Sequence, residues 1–342
     1  MKRAVLLFLL VVVSSGVFAE KMLRFVTVNV WSGLTYRGVF KSKTYESSEE
    51  RTFRYGLLVN ALREIDADII SINEANMLPG YAKRLARDLT GEFEYDYIYA
   101  VRFGGVRLGQ AGFPINLREG QIILAKKYLN LTAAGNRKLS GGYAGNFASF
   151  HWQDAQRILA GRITVGEKEV FLFSAGWHAS EFSSEPQLKT LVDLYSTEDI
   201  EGDEFLFRMQ NAIEGHNKRL LEAAETVKFI SEVAGDGAVV LMGTLNALPG
   251  SAEIGVLTGA GFEDAWQAGR GEGYTRDGVR NTNIIRHFYD EQSAETPRRD
   301  RIDYIFFKGE GVSAQNAAIA LDEATYEIHP SDHFAVTAEL EF

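Results

Sequence analysis

A set of polar side chains in this chain stands where apolar, β-branched runs stop. Asn29 closes the run Leu23–Val30, and Glu74 closes Asp68–Ile72. Asn246 follows Val239–Met242, Asp303 interrupts Arg301–Phe307, and Asp332-His333 precede the run from Phe334 to Leu340. Two acids, two carboxamides and a further aspartate beside a histidine on one rim make an oxygen-rich site. Such a donor set suits Mg2+, Mn2+ or Ca2+ better than a soft metal. A histidine held by an aspartate is a usual arrangement for a base that activates water. A single Asn at a strand end is equally a turn residue. Glu74 can simply end a strand beside Lys126, and Asp303 can pair with Arg301. Recurrence at successive strand ends is harder to ascribe to turns.

The other histidines read more blandly. His151 is expected to be a hydrogen-bonded structural residue. His216 is placed at a helix start, and His287 and His329 in loops. No two histidines fall at helical metal-ligand spacing, so zinc has little support. Arg298, Arg299 and Arg301 form a small basic patch that could steer a phosphate. Gly269-Arg270-Gly271-Glu272-Gly273 lacks a following Lys-Ser/Thr and is no P-loop.

Positioning such a rim requires strands that end together. Alternation predicts strands over residues 23–30, 68–72, 95–101, 121–125, 158–165, 169–174, 238–242, 301–307 and 334–340. Helical spacing marks residues 53–65, 81–89 and 217–233. Gly104 to Gly120 reads as a Gly-rich loop. Ala175 to Gly215 reads as a long charged surface excursion carrying one short helix, Gln187–Tyr195. Strands with helices between some of them predict an α/β (α+β) four-layer sandwich, two packed β-sheets flanked by helices. With no repeat and no Pro- or Ser-rich linker, residues 20–342 are expected to form a single domain.

Composition narrows the function. Hydrophobic residues make up 46% of the 342, which is enough for a core, and Cys is absent. Disulfide scaffolds, thiolate metal sites and Cys nucleophiles are excluded. The formal net charge of −10 argues against a general nucleic-acid coat. Lys2-Arg3, the apolar run Ala4–Val13 and the small-x-small Val17-Phe18-Ala19 predict a signal peptide over residues 1–19, cleaved on export. The mature chain is then expected to be soluble and either secreted or periplasmic. It loses two cations and no acid, and its charge becomes −12.

The motifs at the strand ends resemble those of the endonuclease/exonuclease/phosphatase superfamily, with the DNase I-like fold. In order they are residues 26–30, Asp68-Ile69-Ile70-Ser71-Ile72-Asn73-Glu74, Glu119-Gly120-Gln121-Ile122-Ile123-Leu124, Gly243-Thr244-Leu245-Asn246, Arg301-Ile302-Asp303-Tyr304 and Ser331-Asp332-His333. They span nearly all of the mature chain. The resemblance implies a divalent metal on Glu74 and Asn29, with Asp332 beside it. It further implies that Asn246 positions the phosphate and that Asp303 orients His333 as acid/base. It also implies hydrolysis of a phosphoric ester by in-line attack of water.

Two departures bear on activity. The family usually has Gly-Asp-x-Asn where this chain has Thr244, and a hydroxyl cannot carry the charge that orients or deprotonates water. Many members have Asn-Thr-His where this chain has Ser174-Ala175-Gly176. His178, two residues on, shares the strand face of position 176 and is a candidate to line the site, although about 6.6 Å further along it needs a backbone bulge to replace the missing histidine. The expected substrate is a small phosphodiester or a phospholipid head group, and nucleic acid is less natural for so acidic a chain. The alternatives are a metal- or phosphate-binding protein without turnover on the same scaffold, or a secreted nuclease. Tyr274-Thr275-Arg276-Asp277 resembles the family's loop before its Arg-Ile-Asp strand and is expected near the substrate.

Overall fold

Strand alternation sorts the side chains into layers. The computed structural model describes residues 21–33, 46–103, 106–108, 111–113, 118–141, 155–180, 185–288 and 297–342. The predicted leader and His151 lie outside the described residues. In chain order the strands are β1 (Met22–Asn29), β2 (Ile69–Ala75), β3 (Tyr95–Phe103), β4 (Val106–Leu108), β5 (Ala111–Phe113), β6 (Glu119–Lys126), β7 (Thr132–Ser140) and β8 (Gln156–Val165). They continue as β9 (Lys168–Gly176), β10 (Ala238–Thr244), β11 (Glu263–Asp264), β12 (Arg276–Asp277), β13 (Arg299–Asp300), β14 (Asp303–Lys308), β15 (Ser313–Ala320) and β16 (Ala335–Glu341). The helices are α1 (Ser48–Ile65), α2 (Gly80–Leu89), α3 (Glu185–Ser196), α4 (Gly202–Ala234), α5 (Ala252–Gly259) and α6 (Thr282–Phe288).

Two mixed six-stranded sheets run in the orders β15-β16-β1-β2-β6-β3 and β11-β14-β10-β9-β8-β7. Leu23, Phe25, Ile69 and Ile123 of the first sheet pack against Leu172, Val240, Met242 and Ile305 of the second. The outer face of the first sheet, with Val26, Val28, Ile70 and Ile72, is covered by Leu58 and Leu62 of α1 and Leu85 of α2. Phe229 and Ile230 of α4 and Leu257 of α5 cover Phe173 and Leu241 of the second sheet. The four layers agree with the fold expected from the strand and helix pattern.

Along each strand, the positions facing the gap between the sheets change from apolar to polar. On β1 the sequence is Leu23, Phe25, Thr27, Asn29; on β2 it is Ile69, Ser71, Asn73. On β9 it is Val170, Leu172, Ser174, Gly176, and on β10 Val240, Met242, Thr244. β6 and β14 run antiparallel to their neighbours and bring their first residues, Glu119 and Asp303, to the same end. The gap closes there with hydrogen bonds. Ser71 Oγ donates to Ser174 Oγ at 2.8 Å, and Asn73 Nδ2 donates to the Ala175 carbonyl at 3.0 Å. One end of the sandwich is therefore dry and the other lined with polar groups.

Several segments differ from the sequence reading. α4 begins at Gly202, well before the expected Asn217, so much of the supposed excursion is α3 and the first turns of α4. Exposed Leu206 and Phe207 blur the apolar period there. His216 consequently lies inside a helix, where Nδ1 meets Glu253 Oε1 at 2.9 Å. His287 is in α6 rather than in a loop. β4 and β5 form a short ribbon within the supposed Gly-rich loop. β7 and β15 were not expected at all; both are sheet edges whose side chains are largely exposed.

Candidate active site

At the polar end, pairing fixes the partners before any side chain is considered. Asn29 lies opposite Asn73 across the β1–β2 pair. Thr244 lies opposite Gly176 on one side and Asp303 on the other. Thr275 Oγ1 accepts from the backbone N–H groups of Ile302 and Asp303, at 3.1 and 3.2 Å, and its carbonyl accepts from Phe334 N at 2.7 Å. The Tyr274–Asp277 segment thus ties the Asp303 strand to the His333 turn. Thr275 and Asp277 are fully buried, and Asp277 Oδ1 accepts from the backbone N–H groups of Val279 and Arg280, so the segment is held as a support.

Asp303 is the hub. Its Oδ2 lies 2.7 Å from His333 Nδ1, and its Oδ1 accepts from Thr244 Oγ1 at 2.6 Å. The bond to Nδ1 leaves the other ring nitrogen, Nε2, for a substrate. Burial alone would depress the His333 pKa. The neighbouring Asp303 outweighs burial, with help from Asp332 and Glu74, and pushes it up to about 9. At neutral pH the imidazole is therefore a charged donor. Thr244 has already committed its proton to Asp303 and offers only lone pairs. Arg301, the alternative partner for Asp303, is instead bound to Asp264 at 2.7 Å.

Across the rim, Asn29 Nδ2 donates to Glu74 Oε1 at 3.0 Å, while Asn29 Oδ1 accepts from Trp31 N at 2.9 Å. Ser331 Oγ donates to the Asn29 carbonyl at 2.6 Å and so joins this pair to the Asp332-His333 turn. Lys126, the bland partner for Glu74, pairs with Asp66 and Asp68. Burial raises the Glu74 pKa, Glu119 and then Asp332 raise it further, and Arg102 opposes them. A carboxylate held among other acids is what a cation would relieve. Among the described residues no three His, Asp or Glu side chains converge closely enough to enclose a metal. One carboxylate with a carboxamide oxygen fits a hard divalent ion that keeps several waters, as Mg2+ does. Asn29 Oδ1 retains a second lone pair for this role.

Trp31, Glu74 and Asn246 have left-handed backbones, with φ of 52°, 56° and 49°. Such conformations cost about 1–3 kcal/mol each and concentrate at functional sites. At Glu74 the twist coincides with a register shift against β6 and breaks the alternation. Asn246 Nδ2 donates to the Trp177 carbonyl at 2.8 Å, which fixes its carboxamide beside the end of β9.

β9 stops at Gly176, so no strand extends a shared face to His178. The His178 backbone is tied to α4, its N–H donating to Glu222 Oε2 at 2.7 Å. A Cβ at Gly176 would meet Gln121 Nε2 at 3.4 Å, Asn73 Nδ2 at 3.6 Å and Gln156 Oε1 at 3.7 Å. Carboxamides therefore surround the position where the resemblance expects an imidazole. Behind them is a cation the sequence reading missed. Arg102 donates to Gln156 Oε1 at 3.0 Å and to Glu119 Oε1. Its only signal in the sequence is a charge that interrupts the aromatic and apolar run Tyr97–Phe103 of β3. The expected phosphate-steering patch is committed elsewhere: Arg299 pairs with Asp277 at 3.4 Å, and Arg298 lies 3.9 Å from Asp300.

The sequence profile of the Endonuclease/Exonuclease/phosphatase family matches residues 26–333. The chain belongs to this family. No curated protein matches in sequence. A family protein from Bacteroides vulgatus aligns over 94% of this chain and 99% of its own, at 16% identity and a TM-score of 0.59. The mannosyl-6-phosphatase of Bacteroides thetaiotaomicron aligns over 94% of this chain and 100% of its own, with 16% identity and a TM-score of 0.58. D. rerio TDP2, complexed with single strand DNA product, aligns over 93% and 98%, with 15% identity and a TM-score of 0.57. At these identities the likenesses show the DNase I-like fold alone.

Proposed function

We propose that this chain is a divalent-metal-dependent hydrolase of phosphoric esters, acting on a small phosphodiester or phospholipid head group. The carrying observation is the Asp303 carboxylate, 2.7 Å from His333 Nδ1, on the rim that also bears the Glu74–Asn29 pair. Glu74 and Asn29 would hold Mg2+ or Mn2+, with Asp332 alongside. A divalent ion there supplies Lewis-acid polarisation of a phosphoryl oxygen. His333 donates from Nε2 to an oxygen on which charge develops. Asn246 orients the phosphoryl group. Thr244 accepts a hydrogen bond from water and orients it, but cannot take its proton. Loss of a positioned acid/base commonly costs about 10²–10⁴ in rate, so slow turnover is expected.

Thr244 also supports a second reading, in which the site binds metal and phosphate without turnover. Among the described residues no helix is long and apolar enough to cross a membrane. The apolar leader over residues 1–19 supports an exported site of action.

The test compares hydrolysis of an aryl phosphodiester with Mg2+ or Mn2+ and with chelator, beside a double variant carrying Gly176→His and Thr244→Asp. Chelator-sensitive turnover by the native protein supports the hydrolase. Turnover by the variant alone supports the binding protein. A Glu74→Gln variant that still gains thermal stability from the metal would remove the assigned ligand.

A further inference from the structure

Beside Glu74 a cavity of about 270 Å³ opens between α1, α2 and the Val30–Ser32 turn. It is small for a ligand pocket, which usually begins at about 300 Å³, so it suits one ring-sized group. Trp31, Tyr55 and Tyr81 line it, and so do the guanidinium-bearing Arg51 and Arg84. The rings are backed by cations. The Arg54 guanidinium lies 4.8 Å from the Trp31 ring centroid, and that of Arg84 lies 3.7 Å from Tyr55.

The charge around this cavity is opposite in sign to that of the chain. Glu46 is shared by Arg54, at 2.6 Å, and Arg51, at 3.1 Å. Asp88 is shared by Arg87, at 2.7 Å, and Arg84, at 3.4 Å. Glu46 and Asp88 each face two guanidiniums; counting Glu74 as well, four guanidiniums meet three carboxylates, and one positive charge is left over on a protein of net charge −10. Arg54 is buried and fully occupied, also donating to the Val30 and Pro330 carbonyls, so it serves the fold. Arg51 and Arg84 differ. Their side chains are 37% and 49% exposed, and both border the cavity. Ser47 and Glu50 cap α1 reciprocally and set the first turn that carries Arg51.

We propose that this cavity binds an anionic substituent on the alcohol part of the ester, separate from the phosphoryl group that reacts. Aromatic walls take the ring, and Arg51 and Arg84 take the anion. Glu74 lines this cavity and is also the assigned metal ligand, so the scissile ester would lie beside the pocket. The assignment rests on the hydrolase reading, and the test below keeps the two apart.

Binding is measured by calorimetry in chelator, where no turnover intervenes. The probes are glucose, glucose 6-phosphate and glucuronate, which share a ring and differ in the charged group. The native protein is expected to bind one or both anionic sugars about tenfold or more tighter than glucose, as expected of a charge-assisted contact. Arg51→Met and Arg84→Met should each remove most of that gain, and Arg51→Lys should retain it. Asn246→Ala, at the phosphoryl position, should leave it intact. The two anionic probes distinguish a phosphate from a carboxylate preference. Equal affinity for all three sugars overturns the proposal, and so does a loss caused by Asn246→Ala but not by the arginine variants. Intact selective binding without metal-dependent turnover would retain this subsite while rejecting the hydrolase.

Discussion

Replacing Glu222 by Gln should stabilise the protein by an amount that grows from about pH 4.5 and is complete above about pH 7. Glu222 lies on α4, fully buried, accepting from the His178 backbone N–H and from Ser140 Oγ. Burial pushes its carboxyl up to about 7, despite those hydrogen bonds. The unfolded carboxyl has the ordinary value of 4.5. Below pH 4.5 both states are protonated and the group does not affect stability. Between 4.5 and 7 the unfolded chain ionises while the folded one stays neutral, so stability falls by about 1.4 kcal/mol per pH unit. Above 7 the loss levels off at about 3 kcal/mol. Gln copies the neutral acid: its oxygen accepts from His178 N, and its NH2 donates to Ser140 Oγ. Urea unfolding of both proteins at pH 4.5, 6 and 8 should show no difference at the lowest pH and the full gain at the highest. A difference that does not vary with pH would show that Glu222 is ionised in the fold and would refute the reasoning.

Two other perturbations probe the rim. Arg102→Met leaves Glu119, which is fully buried, without its guanidinium and should cost about 3–5 kcal/mol, much of it recovered in the double variant with Glu119→Gln; chemical denaturation of the four proteins measures the coupling. Asp303→Asn removes the charge that keeps His333 protonated, so kcat should fall about 10²–10⁴-fold while metal affinity, read by calorimetry, stays unchanged.

Much of this candidate site was legible because its residues stand at or beside the ends of strongly apolar strands. Asn29, Glu74 and Asp303 could be located from alternation and a terminating polar group, and His333 from the Asp-His pair before the last strand. Residues whose signal lies in tertiary contact were not legible. Arg102 matters through Gln156 and Glu119, which follow it by 54 and 17 positions. Thr275 looked like a loop residue because nothing local shows that two strands hang from its oxygens. The edge strands β7 and β15 bury too little to show a clean alternation, and α4 hides its first turns behind exposed apolar residues. His178 lies beyond the end of β9 at Gly176, so the strand period no longer fixes its side chain's direction.

The change from dry to polar positions along the strands makes the site a checksum on strand register. A slip of one residue in β1 would turn Asn29 into the helix layer, and the same slip in β10 or β14 would separate Thr244 from Asp303. Each strand contributes one character, and the rim reads correctly only when every strand is in step. Binding at this rim would therefore report native pairing of both sheets together, at a resolution that helix content or compactness cannot provide.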